Sequence, residues 1–303
     1  MVDQRRGVLY GIVAYTLWGL FPLYWPLLEP ASAGEILAHR TTWSLLAVLA
    51  ILAAARTRWP AFFATIRNRR ARWLLVTAAV ILAVNWLTYI WGVNHGHVVE
   101  TSLGYFINPL ITVLLGVLVL GERLRPVQWA ALGLGAIATL VLTGAYGRLP
   151  WIALVLAGTF ATYGLIKKKA AVPAVESFGV ETAALFLPAL GYLVFLQVTG
   201  EAAFGHVSIG HSLLLAGAGL VTTLPLLAFG AAAIRIPLSM LGLLQYLAPV
   251  LQFLIGVAIF HEPMPVARWI GFALVWIALT ALTADAVRNA RAVRTARLAA
   301  ATA

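Results

Sequence analysis

The chain has 303 residues, of which 62% are hydrophobic and only 10% charged, whereas soluble domains run at about 45–50% and about 25%. So much apolar surface cannot be hidden inside a water-soluble chain of this length, so a soluble globular domain is set aside and a polytopic membrane protein is expected. The net charge of +11 would suggest nucleic acid in a soluble protein; here the basic residues stand between apolar spans with no domain in which to form a groove, so no nucleic-acid partner is expected and the charges fit orientation and contact with anionic headgroups.

Taken in order, the chain starts with Met1 to Arg6 and an apolar segment over 7–28, followed by Ala31-Ser32-Ala33. This imitates a secretory signal, but the apolar core is too long for one and Trp18, Tyr24 and Trp25 make it bulky, so it reads as span 1. Span 2 covers 35–55 and carries His39 and Arg40 in its outer turns. A basic segment leads to span 3 (73–93), the connection Asn94-His95-Gly96-His97, span 4 (99–120) and span 5 (127–144). Span 6 covers 150–166 and is expected to stop at Lys167, Lys168 and Lys169. Span 7 (178–198), span 8 ending near Ala233, with Thr222, Thr223 and Pro225 expected to break it, span 9 (238–260) and span 10 (266–284) complete the series. At roughly 1.5 Å per residue each crosses a hydrocarbon core of about 30 Å.

The sequence repeats. Leu103, Pro109, Leu114, Gly116, Val117, Glu122 and Trp129 return 140 positions later as Leu243, Pro249, Leu254, Gly256, Val257, Glu262 and Trp269. Five spans separate equivalent points, so the second copy is expected upside down relative to the first. With the N-terminus inside, Arg148 is the sole basic residue of the outer loops, Arg40 and Arg268 lie within span ends, and every other Lys and Arg is cytoplasmic. The fold class expected is therefore an all-α polytopic membrane protein of ten transmembrane helices in two inverted five-helix repeats. Its parts are residues 1–145, residues 146–285 and a basic cytoplasmic tail over 286–303, with both termini cytoplasmic.

Two inverted halves can exchange conformations around a site near the midplane, which is the logic of alternating access. The only lysines are Lys167 to Lys169, so there is no P-loop. An enzyme is not expected: there is no H-E-x-x-H and no G-x-S-x-G, and the only aspartates, Asp3 and Asp285, are terminal. The rival to a carrier is a channel-like or sensory membrane protein without saturable transport.

The segments GIVAYTLWGLFPLYW, EILAHR, NWLTYIWGVN, ETSLGYFINPL, LGERLRPVQW, YGLIKKKA and LGLLQYLAP resemble the RarD branch of the EamA family, within the drug/metabolite transporter superfamily. The resemblance runs from about Gly7 to span 10. It implies a ten-helix permease of the bacterial inner membrane with two EamA repeats, of a kind often described as a chloramphenicol-sensitivity protein.

The residues themselves supply candidate sites. Asn85, Trp86 and Tyr89 on span 3 and Tyr105 and Asn108 on span 4 gather polarity near the midplane, where Pro109 frees a carbonyl beside Tyr105. Gln245, Tyr246 and Gln252 around Pro249 do the same on span 9, and Trp18 and Tyr163 are matched across the repeats. These line the expected substrate cavity for a small organic solute, such as a chloramphenicol-like drug or an amino-acid-like metabolite; interhelical hydrogen bonding is the plainer use of many of them.

Arg40 is expected as a carboxylate anchor or as an outer-gate ion pair with Glu100, with snorkelling to the headgroups as the alternative; His39 stands beside it, and Glu100 is a candidate proton carrier. His95, His97 and Glu100 lack a fourth ligand, so no metal and no cofactor is expected. Trp73, Trp151 and Trp269 read as interfacial anchors. Small residues such as Gly133, Gly135 and Gly271 permit close packing and leave room for a homodimer.

Overall fold

The computed structural model describes residues 2–55, 58–94, 98–146 and 150–259, with scattered positions between 266 and 284. The helices are α1 (Val2–Gly19), α2 (Ala33–Ala54), α3 (Trp59–Arg67), α4 (Arg69–Asn94), α5 (Val98–Leu120), α6 (Pro126–Tyr146), α7 (Trp151–Ala170), α8 (Ala174–Thr199), α9 (Ile209–Ala233), α10 (Leu238–Leu244) and α11 (Leu247–Ala258). Two 3-10 turns, Phe21–Leu23 and Trp25–Leu28, link α1 to α2. There is no strand among the described residues. Four helices, α2, α4, α8 and α9, contain stretches long and apolar enough to cross a membrane by themselves, and large side chains such as Leu118, Leu187 and Val198 stand exposed on outer helix faces. The chain is an all-helical, multi-pass membrane protein.

Contacts between connections separate the two ends of the bundle. At one end Asp3 meets Arg235 at 2.8 Å, Arg58 meets Glu176 at 3.2 Å, and Lys168 Nζ donates to the Ile236 carbonyl at 2.5 Å. Glu122 joins them, accepting from the backbone N–H groups of Leu238 and Ser239 at 2.7 and 2.8 Å. This satisfies donors that the start of α10 would otherwise leave orphaned. At the other end Tyr24 Oη donates to the Leu214 carbonyl at 2.5 Å, His211 Nε2 lies 2.9 Å from the Leu28 carbonyl, and the buried Glu35 carboxylate accepts from the N–H groups of Ala203 and Phe204.

Between the ends, α1 packs along α9 and α7 along α4; α2 packs along α9 and α8 along α4; α5 packs along α7 and α11 along α1. The pairs α2–α8 and α5–α10 meet directly. The centre is aromatic: Tyr163 stacks on Phe229 at 5.6 Å and 17°, and Trp18 meets Phe160 edge-on at 5.5 Å.

Several boundaries differ from the sequence reading. Span 1 ends as an α-helix at Gly19, because Pro22 and Pro26 lie in the following 3-10 turns and cannot donate to a continuing α-helix. The basic segment after α2 contains a further helix, α3, which buries Phe62 and Thr65. Span 6 does not stop at its lysines: α7 runs to Ala170 and ends where Ala171 takes φ +51°. Span 8 is not broken, since α9 is continuous through Pro225, with Thr223 Oγ1 returning a hydrogen bond to the Gly219 carbonyl at 2.7 Å. Span 9 is interrupted instead, between α10 and α11 at Gln245 and Tyr246, one turn before Pro249. Pro249 lacks an N–H for the carbonyl of residue 245 and so favours a break there. Glu262, Arg268, Asp285 and the tail lie outside the described residues.

Candidate functional site

The α2–α8 crossing, closed on its sides by α4 and α9, leaves a small cavity with an open mouth. Its walls are Arg40, Thr41 and Ser44 of α2, Leu82 and Trp86 of α4, Glu181 and Thr182 of α8, and Thr222 of α9, over an apolar floor that includes Phe178. The adjoining α2–α9 crossing is held by small groups. Ser44 Oγ donates to the Gly219 carbonyl at 3.0 Å, and a Cβ on Gly219 would fall 2.3 Å from the Cβ of Trp43.

Arg40 stands seven residues into α2, about 10 Å along it. It does not snorkel: only 9% of the residue is exposed. Its Nε donates to Thr222 Oγ1 at 2.8 Å. Its guanidinium carbon lies 4.7 Å from the ring centroid of Trp25 and 4.3 Å from that of Trp86. Such cation–π contacts are worth about 0.5–2 kcal/mol each. The phenols of Tyr89 and Tyr105, whose rings lie 6.0 Å apart, are within electrostatic reach. No carboxylate forms an ion pair with Arg40 among the described residues. The side chain of Glu100 falls outside the described ones, as do His95 and His97.

On the opposite wall the chain places a charged pair that the sequence reading did not single out. Lys167, one turn beyond Tyr163 on α7, reaches Glu181 Oε1 at 2.5 Å and also donates to Ser177 Oγ. Tyr163 Oη donates to Glu181 Oε2 at 3.0 Å. Lysine and glutamate are both buried, so each neutralises a charge that alone would cost several kcal/mol to hold there. The available signals were an acid seven residues inside an apolar helix and the four-residue spacing of Tyr163 and Lys167, which puts them on one face.

The other expected residues take varied places. Asn85 Nδ2 donates to the Leu156 carbonyl and to Thr159 Oγ1, both at 2.8 Å, and so ties α4 to α7. Asn108 and Gln245 are joined through Thr112, whose Oγ1 lies 3.3 Å from Asn108 Oδ1 and 3.2 Å from Gln245 Oε1; this forms a second polar cluster where α5 meets α10. Gln252 donates to the Trp18 carbonyl at 3.2 Å. Tyr246 is buried beside Gly135, with its hydroxyl unpaired among the described residues. His39 accepts from Trp43 at Nδ1, which puts its proton on Nε2, 3.9 Å from Glu35 Oε1. It belongs to the packing around Phe204, 4.6 Å away. The structure brings Arg40 and Trp86 to the cavity wall with Tyr89 and Tyr105 near them, and sets Trp18 and Tyr163 in the adjoining aromatic core. Among the described residues no cluster of His, Cys, Asp or Glu is arranged for a metal.

Comparison with known proteins decides the family. Residues 5–144 match the EamA-like transporter family. The chain is 59% identical to Protein RarD of Streptomyces exfoliatus over 99% of its own length and 94% of that protein's. This chain belongs to the RarD branch of the EamA-like transporter family. A second relative, an uncharacterized transporter YojE of Bacillus subtilis (strain 168), is 40% identical over 96% of this chain and 97% of the relative. A third, the Chloramphenicol-sensitive protein RarD of a Pseudomonas aeruginosa strain, is 33% identical over 94% and 96%. The fold is shared with a solved crystal structure of a protein only 22% identical, with a TM-score of 0.73 over 92% of this chain and 97% of that one. Like its relatives, this RarD-type chain is a membrane transporter for a small solute, not an enzyme.

Proposed function

We propose that the chain is a secondary permease that carries a small organic solute across the bacterial inner membrane by alternating access, with the cavity between α2, α4, α8 and α9 as its substrate site. The observation that carries this is the origin of the cavity walls: α2 and α4 belong to the first half of the chain and α8 and α9 to the second. A site at the seam of two halves opens to one side or the other when the halves rock.

The halves are two inverted five-helix repeats, residues 1–145 and 146–285, followed by the basic tail 286–303. Three things support this: the 140-residue sequence repeat, the family match whose bounds, residues 5–144, coincide with the first half, and the packing. The contact of α1 with α9 has its counterpart in α7 with α4, and that of α2 with α9 in α8 with α4, as a pseudo-two-fold axis requires. The end of the bundle that carries Arg58, Lys168 and Arg235 is cytoplasmic and holds both termini, by the excess of Lys and Arg there. Its basic residues meet anionic headgroups. A homodimer through small-residue faces remains compatible with this arrangement. The aromatic rings and hydroxyl groups of the cavity walls suit the chemistry of chloramphenicol-type or amino-acid-type solutes.

The test is counterflow in proteoliposomes over a panel of amino acids, aromatic metabolites, nucleosides and chloramphenicol. Saturable, trans-stimulated uptake of any member is expected. Flux that rises linearly with concentration, or none from folded protein, contradicts the reading.

A further inference from the structure

Among the described residues the charges of the cavity do not balance. Glu181 is committed to Lys167 and Tyr163, both on α7, so that pair contributes no net charge. Arg40 is left as a buried cation without a carboxylate partner among the described residues. A guanidinium has five N–H donors. Thr222 takes the one on Nε, and no acceptor among the described residues takes the four on the terminal nitrogens. The two indoles engage Arg40 through their π faces, which provide no acceptor in the guanidinium plane. What remains is a flat, two-pronged donor edge on a side chain that lines the cavity, backed by Trp25 and Trp86. That edge matches a carboxylate, which accepts two parallel N–H bonds from it.

We infer that the cavity is anion-selective, with Arg40 as the counter-ion for a carboxylate carried on an apolar or aromatic body. The inference rests on the cavity being the transporter's substrate site, and it narrows the solute to a class. The carboxylate supplies the charge and the acceptors that no described residue gives Arg40, and the indoles cover the apolar body that follows it. The Lys167–Glu181 pair then has a selectivity role: with Glu181 held by Lys167, the opposite wall does not repel the anion.

The test uses three probes with one body and different heads, namely phenylacetate, phenylacetamide and phenethylamine. Each is measured by thermal stabilisation of the purified protein and by counterflow in proteoliposomes. Phenylacetate is expected to bind at least about tenfold more tightly than the amide or the amine. Arg40→Gln is expected to remove that preference while leaving the weak amide binding in place, and Arg40→Lys to keep part of it. Should Arg40→Gln fail to fold, the comparison of probes on the unmodified protein still decides. Equal affinity for acid and amide, preference for the amine, or no binding of the acid each overturns the inference. The two readings fail separately: saturable counterflow of phenethylamine without any of the acid leaves a transporter that is not anion-selective. Tight phenylacetate binding without counterflow of any solute leaves an anion site in a protein that is not a carrier.

Discussion

Lys167 Nζ lies 2.5 Å from Glu181 Oε1, and the two side chains are 2% and 3% exposed. A pair so withdrawn from water is stable only while both members are present. Removing one strands a buried charge at a cost of about 3–5 kcal/mol, whereas replacing both with uncharged groups of similar shape costs far less. Lys167→Met and Glu181→Gln are therefore each expected to lower the thermal stability of the purified protein strongly, and the double variant to recover most of the loss. A double variant as unstable as the two single losses combined would contradict this ion-pair role.

Glu122 joins two distant elements through hydrogen bonds from Leu238 and Ser239. Its replacement by alanine leaves two donors at the start of α10 without their charged acceptor, a loss of about 1–3 kcal/mol at a partly exposed site. Glu122→Gln, which keeps one acceptor oxygen, is expected to lose less than half of that. Denaturation midpoints of the two variants in detergent check the order; an alanine variant as stable as the parent contradicts the cap.

The α2–α9 crossing depends on the absence of a side chain at residue 219. Gly219→Ala would put a methyl group 2.3 Å from the Cβ of Trp43 and 2.5 Å from its backbone carbonyl carbon, an overpacking worth about 1–3 kcal/mol. At Gly191, by contrast, an added Cβ meets nothing within 4 Å, so Gly191→Ala is expected to be neutral or stabilising by up to about 1 kcal/mol. Thermal unfolding of the two variants side by side separates packing from helix propensity.

Because the chain has no cysteine, single cysteines report membrane sidedness without a background. Cysteine in place of Arg70 or of Lys169 is expected to react with an impermeant thiol reagent in inside-out vesicles only, and at His206 in right-side-out vesicles only. Reaction at residues 70 and 206 from the same face would refute the inverted arrangement.

Much of the architecture was legible because lipid makes apolar length the dominant signal. Spans 2, 3 and 7 correspond to α2, α4 and α8 within about one turn at each end. The repeated glutamate was visible too, but not its use. Only the fold shows that Glu122 leaves its own helix to meet α10, and that a Cβ on Gly116 would lie 2.7 Å from its Oε2. Local chemistry misled where it had two readings. Lys167, Lys168 and Lys169 look alike as a cytoplasmic stop signal, yet the helical phase turns Lys167 inward to Glu181 and leaves Lys169 exposed. Pro225 looked like a breaker, and the helix tolerates it. Asn85 and Gln252 looked like cavity residues, and each bonds to a backbone carbonyl of a neighbouring helix. Which polar group faces the cavity and which ties helices together depends on rotation about the helix axis, and a helix apolar on nearly every face carries little information about that rotation.

Thr182 lines the cavity, and its hydroxyl bonds within its own helix, to the Phe178 and Gly179 carbonyls. A cysteine there is nearly isosteric, and its labelling by a small impermeant thiol reagent, measured in right-side-out and inside-out vesicles, reports whether the cavity visits both sides of the membrane. Alternating access predicts modification of Thr182→Cys from either face, and slower modification when a transported solute occupies the site. Modification from one face alone, with and without solute, would contradict a carrier that moves its solute through this cavity.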